Sequence, residues 1–407
     1  MSLKTPTKGY CLKLLLAAML ALYGCVEPYS AEEIDFEDIL VIEATITDQE
    51  KQQQIFLSRT FELEIDSIIP EQGAMVQVIG GEEEFNFSEA APGVYLSNRV
   101  FAAVPDTDYR LLITTTGGST YASDTVVLPQ VTQIDDLTAA RVVTDDGNEG
   151  MGIFVESYDP TGNSRNYRYE YEETYKIVAP DWTPRDLVLP SEGSCQVELV
   201  NDEWSVRECF MTNVSNSIIQ YSTSDLTEDR VSQFMVRSIN KDNYIIGHRY
   251  SILVRQYVQS NEAYAFYETL NTLSGQESVF FGAQPGFLQG NITSNENPDE
   301  KIIGFFELSS VSETRIFFNY TDFFPDEEPS SYVDSCEPYV PSIVDMSGRC
   351  VLSELVSSNA IRFLAEYEPP DTPSTEPVSE GPYLVVPRIC GDCSVLGDVE
   401  SPEFWIE

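Results

Sequence analysis

Between Ile39 and Leu128, β-branched and aromatic runs of strand length alternate with turns marked by glycine and proline, a rhythm that leaves few folds open. Residues 39–47 and 54–61 flank the polar stretch 48–53 and read as a hairpin. Residues 74–79 stop at Gly80-Gly81, residues 84–88 alternate with period two before Pro92-Gly93, and residues 94–96, 108–114 and 121–128 continue the series. Turn signals spaced about 8–12 residues apart predict a sandwich of short strands. Pro129 closes the span, so residues 39–129 are expected to form an N-terminal β-sandwich of immunoglobulin-like or carboxypeptidase-regulatory-like size.

Residues 130–407 are longer and less regular, and predict a larger β-rich domain with one or two helices. Residues 151–157, 167–178, 232–239 and 250–258 read as strands. In the second of these, Tyr167, Tyr169 and Tyr171 share one face, with Arg168 and Glu170 on the other; the tyrosine stripe reads as a packed sheet face. Ala263, Phe266, Tyr267, Leu270 and Leu273 recur at helical spacing until Gly275, predicting a helix from Asn261 whose apolar face lies on a sheet. Residues 325–329 and 368–382 are acidic and proline-rich and read as loops.

The start of the chain says where such a body works. Lys4, Lys8 and Lys13 precede the apolar run Leu14–Leu22, which Leu22-Tyr23-Gly24-Cys25 closes as a lipobox. That run is about half the ~20 residues of a membrane-spanning helix. Residues 1–24 are therefore predicted to be a lipoprotein signal peptide, with Cys25 the lipidated first residue of the mature chain. Residues 25–38 follow as an acidic linker carrying Glu27, Glu32, Glu33, Asp35, Glu37 and Asp38, and its resemblance to the acidic leaders of Bacteroidetes lipoproteins implies the outer membrane and its cell-surface face. With 67 acidic against 23 basic residues, the chain repels nucleic acid and anionic lipid surfaces. Its membrane contact is expected through the lipid anchor alone.

Exported chains form disulfides, and removing Cys11 and Cys25 leaves Cys195, Cys209, Cys336, Cys350, Cys390 and Cys393. Cys195 and Cys209 enclose Trp204 and predict a disulfide across one hairpin, while the other four predict two more of open pairing in preference to a zinc site. Cys390-Gly-Asp-Cys393 follows Pro387 with no helix start to acidify a thiol, against a thioredoxin-like reading. His248 is the one histidine and belongs to no catalytic or zinc motif. Asp145–Glu149 has oxygen ligands and a glycine but no EF-hand spacing, and reads as a turn. No catalytic residue, cofactor or metal is expected, and a non-enzymatic role follows. Trp182 and Trp204, in polar or proline-containing loops, are the candidate anchors for a partner protein.

The combination of the lipobox cysteine, Gly290-Asn291-Ile292, Asn297-Pro298, Gly304-Phe305-Phe306 and the terminal Cys390-x-x-Cys393 resembles a Bacteroidetes family of outer-membrane lipoproteins described as a domain of unknown function. Members are typically encoded beside TonB-dependent receptors. The resemblance thus implies a non-enzymatic, ligand-binding accessory subunit of such a receptor barrel, analogous in role but not in fold to the helical-repeat lids of starch-utilisation systems. Two other classes stay open: a structural lipoprotein of an outer-membrane assembly or export complex, and a secreted hydrolase with an unrecognised acidic site. The family brings no catalytic residues to carry over.

Overall fold

The computed structural model describes residues 38–60, 68–143, 147–191, 193–274, 288–329, 332–368 and 381–407. The signal peptide, Cys25, most of the acidic linker, Asp145 and Gly275 lie outside them. The first stretch gives β1 (Leu40–Thr47), β2 (Gln54–Arg59), β3 (Ile69–Pro70), β4 (Met75–Gly80), β5 (Glu83–Ala91), β6 (Val94–Ser97), β7 (Tyr109–Thr114) and β8 (Thr120–Ser123). Next come β9 (Ile134–Val143), β10 (Glu149–Asp159), β11 (Asn166–Val178), β12 (Arg185–Val188), β13 (Glu198–Asn201) and β14 (Glu208–Val214). β15 (Ile219–Ser222), β16 (Asp229–Asn240) and β17 (Arg249–Gln259) lead into helix α1 (Asn261–Ser274). The chain ends with β18 (Ile292–Ser294), β19 (Ile302–Asn319), α2 (Tyr320–Phe323), α3 (Val351–Ser357), β20 (Ile361–Glu366), β21 (Tyr383–Pro387) and α4 (Arg388–Gly391). The protein is mainly β, as its turn rhythm predicts, and among the described residues no helix is long and apolar enough to cross a membrane.

One sheet carries fourteen strands in the order β14-β11-β17-β19-β1-β2-β6-β5-β4-β7-β8-β18, with β15 added on β11 and β3 on β2. β1 lies parallel to β19, from Leu40 opposite Ile302 to Thr47 opposite Ser309, while its other neighbour β2 runs antiparallel. Period-two alternation gives the sheet two unlike faces. Leu40, Ile42, Ala44 and Ile46 of β1 join Ile55, Val78, Tyr95, Leu111 and Ile113 in one core, so the sheet folds over on itself. That core also takes Ile292, Ile302, Phe306 and Leu308 from β18 and β19. Farther along, Tyr167, Tyr169, Ile252 and Val254 pack against Met151, Ile153 and Val155 of the separate β16-β10-β9 sheet, a second sandwich. Tyr167 and Tyr169 are fully buried, so the tyrosine stripe is a packed face.

Two of the glycines noted in the sequence sit where backbones touch. A Cβ on Gly290 would lie 1.6 Å from the Gly304 carbonyl oxygen, and one on Gly304 would lie 2.3 Å from that of Ile42. Between them, Asn291 stands in for a paired strand: its Nδ2 donates to the Phe306 carbonyl at 2.8 Å and its Oδ1 accepts from the Phe306 N–H at 2.8 Å. Gly290 and Asn291 are thus held by contact with β19, and Gly304 by contact with β1.

The cysteines pair as Cys195–Cys350, Cys209–Cys393 and Cys336–Cys390. The hairpin disulfide Cys195–Cys209 does not form. Cys209 is on β14 and fully buried, facing Cys393, whereas Cys195 precedes β13 and faces the start of α3. Two of the bridges, Cys195–Cys350 and Cys209–Cys393, fasten the 179–209 segment to the C-terminal part of the chain, and Leu187 of that segment shares a small core with Leu352, Ile361, Phe363 and Val385. Beneath it Arg362 pairs with Asp186, Asp202 and Asp392. Burial alone would push the Asp392 carboxyl up, but Ser394, Arg362 and backbone N–H groups outweigh it and hold it below the usual range.

Candidate functional site

The outward face of the large sheet carries charge where the inward face carries core. On β11 this face presents Arg168 and Glu170, on β17 Tyr257 and Gln259, on β19 Phe305 and Glu307, and on β1 Glu43 and Thr45, as the strand registers require. Helix α1 lies over part of it. The Ser260 hydroxyl caps the helix by accepting from the Ala263 N–H at 3.1 Å, and Phe266 packs on Phe305 with ring centroids 5.4 Å apart. Between the helix and the β1–β2 hairpin is a half-open cavity of about 580 Å³, within the size range of small-molecule sites.

Arg168 forms its floor. Its guanidinium donates to Glu170 and, at 3.0 Å, to Glu307, and it stacks 4.4 Å from the Tyr257 ring centroid and 5.2 Å from that of Tyr267. Burial would lower the Arg168 pKa, but Glu307 and Glu170 overcome it and hold the cation firmly charged. Glu307 is itself buried and also accepts from Thr45 and Gln259, each at 3.0 Å. Tyr257 donates to Glu170 at 2.9 Å, and burial pushes both Tyr257 and Tyr267 above the usual phenol range. Phe56, Phe305, Leu270 and Ile218 add apolar wall. Both terminal nitrogens of Arg168 are held by carboxylates, whereas its buried Nε has no hydrogen-bond partner, so the cavity presents aromatic faces around an internally paired cation.

At the mouth stand Glu43 and Lys51, both accessible. Loss of water to the cavity walls raises the Glu43 pKa, and no hydrogen bond or ion pair within the described residues reaches its carboxylate. Desolvation and Arg255 lower the Lys51 pKa, yet Lys51 has Glu170, Glu313 and Asp48 around it and donates to Gln49 at 3.0 Å.

The residues singled out in the sequence lie elsewhere. His248 borders a separate recess with Lys176, Arg207 and Arg249; desolvation and Lys176 push its pKa down, and Lys176 is paired with Glu208 and Glu407. Trp182 packs against the second sandwich core, with its indole N–H on Ser205, whereas Trp204 is 86% exposed. Cys336 and Cys390 lie beside Asp334, but their sulfurs are joined to each other, leaving no thiolate there for a metal. Sequence reasoning placed Arg168 and Glu170 on the face opposite the tyrosines but did not mark them as a site; Glu43, Tyr257 and Glu307 carried no local signal.

The molecule is thus a layered β protein with an aromatic, charge-paired cavity on the outward face of its main sheet. The family described as "Domain of unknown function (DUF4249)" matches residues 26–315, and the chain belongs to that family. No curated protein matches. All the cavity residues fall inside the matched span, while Cys336, Cys350, Cys390 and Cys393 lie beyond it.

Proposed function

We propose that the protein is a lipid-anchored lipoprotein of the outer-membrane surface, acting as a ligand-binding accessory subunit of a TonB-dependent transporter. The observation that carries this reading is the cavity over Arg168. Its volume suits a small ligand, its walls are aromatic, and Arg168, Glu170, Glu307 and Tyr257 are engaged with one another, so what it mainly offers is binding surface and shape. Strand β1, which forms one wall, starts fifteen residues after Cys25. A fully extended linker of that length spans at most ~50 Å, so an anchor at Cys25 would hold the cavity close to the bilayer and to any barrel embedded in it. Trp204, large and exposed, is the proposed contact for that barrel.

The test is affinity capture of the tagged protein from detergent-solubilised outer membrane, with partners identified by mass spectrometry. A TonB-dependent receptor is expected with the wild type, and Trp204→Ala is expected to weaken its recovery. Recovery of an insertase or translocon instead would favour the structural-subunit reading. Turnover of a peptide or glycan by the purified protein would favour the hydrolase. Cys25→Ser is expected to move the protein out of the membrane fraction.

A further inference from the structure

We propose that the Arg168 cavity selects organic cations: an ammonium group seats against the Glu43 carboxylate while an apolar or aromatic body lies along Phe56, Phe305 and Tyr267. The proposal rests on the reading of this cavity as a ligand site and adds the chemistry of what enters it. The charges around the cavity decide the sign. Arg168, Lys51 and Arg255 stand among Asp48, Glu170, Glu307 and Glu313, so these three cations are already matched by four carboxylates before Glu43 is counted. Glu43 is the carboxylate of the mouth with no cation of its own. A carboxylate on the edge of an aromatic cavity with no partner of its own is free to take one, and a bound cation supplies it.

The walls favour the same class of ligand. Arg168 over the Tyr257 and Tyr267 rings shows that these faces are disposed to hold a cation, and further ring surface from Phe56 and Phe305 lines the same space. Phe56 is 42% exposed although it is a large apolar side chain on a strand, which leaves its ring available to a guest. At long range, a formal charge of −44 draws cations toward the molecule and turns anions away.

The experiment is titration calorimetry at low salt with three probes of similar size: 2-phenylethylamine, 2-phenylethanol and 3-phenylpropionate. The amine is expected to bind the wild type about tenfold more tightly than the alcohol, with the carboxylate weakest, a difference the size of one sheltered ion pair. Glu43→Gln, at an accessible position where folding is not at stake, should bring the amine to the affinity of the alcohol and leave the alcohol unchanged. Phe56→Ala should weaken both. Equal binding of all three probes, or an amine affinity untouched by Glu43→Gln, would overturn the cation proposal while leaving the cavity as a ligand site. If none of the probes binds the wild type, the proposal also falls; the receptor role is then judged separately by affinity capture, which does not depend on these probes.

Discussion

Arg168 is where one side chain holds the most structure. It joins β11 to β19 through Glu307, covers two tyrosine rings, and keeps a buried carboxylate neutralised at a site where water cannot. Replacing it with methionine retains the stem but strands Glu307 at 2% exposure, with Thr45 and Gln259 as its remaining donors. Breaking a buried pair from one side costs about 3–5 kcal/mol, so Arg168→Met should lower the unfolding free energy measured by urea titration at pH 7 by that amount. A double change, Arg168→Met with Glu307→Gln, should recover part of the loss, because the uncompensated charge goes with it. A single variant as stable as the wild type would mean the network adds nothing to the fold. Half of this pair was legible in the sequence: alternation puts Arg168 opposite the tyrosines. The other half was not, because Glu307 lies 139 residues away and no local pattern marks which carboxylate an arginine will meet.

At the scale of elements, local signals were read well where the contact is local. The 261–274 helix, its apolar stripe and the packed tyrosine face follow from periodicity alone. The disulfides show where that reading ends. Cys195 and Cys209 are close in sequence, and closeness suggested a hairpin bridge; but β14 turns Cys209 into the core, where Cys393 from the far end of the chain meets it. Bridges that close loops of 155 and 184 residues remove far more unfolded-state freedom than a hairpin bridge would, and losing one buried bridge typically costs about 2–5 kcal/mol. Proteolytic mapping of the unreduced protein should therefore return Cys195–Cys350, Cys209–Cys393 and Cys336–Cys390. The paired change Cys209→Ser with Cys393→Ser should lower stability by that amount and loosen the fastened segment, read as new protease cuts between residues 179 and 209. A Cys195–Cys209 peptide in the unreduced digest would reject the observed pairing.

For the whole molecule the decisive contact is the parallel joint of β1 with β19, because it makes one sheet out of segments from opposite ends of the matched span. Parallel neighbours need a long crossover, and here the two strands are some 262 positions apart, beyond the reach of any hairpin or helix signal in the sequence. The consequence is energetic. Ile292, Ile302, Phe306 and Leu308 are all buried in the core formed by β1 to β8, and each apolar side chain of that size contributes about 1.5–3 kcal/mol on burial. Four of them amount to ~6–12 kcal/mol, as large as the whole stability of an ordinary domain. Residues 38–129 made alone would also leave the β19 side of β1 as an open edge and uncover the core beneath it. That fragment is accordingly expected to lack a cooperative thermal transition and to bind a dye for exposed apolar surface. The same fragment joined by a flexible linker to residues 288–319 should regain a cooperative melt, since that piece restores β18, β19 and the Asn291 bridge to Phe306. Circular dichroism melts of the two proteins decide the matter: a sharp, reversible transition in residues 38–129 by themselves would show that the first eight strands are a self-sufficient body and that the joint to β19 only docks it.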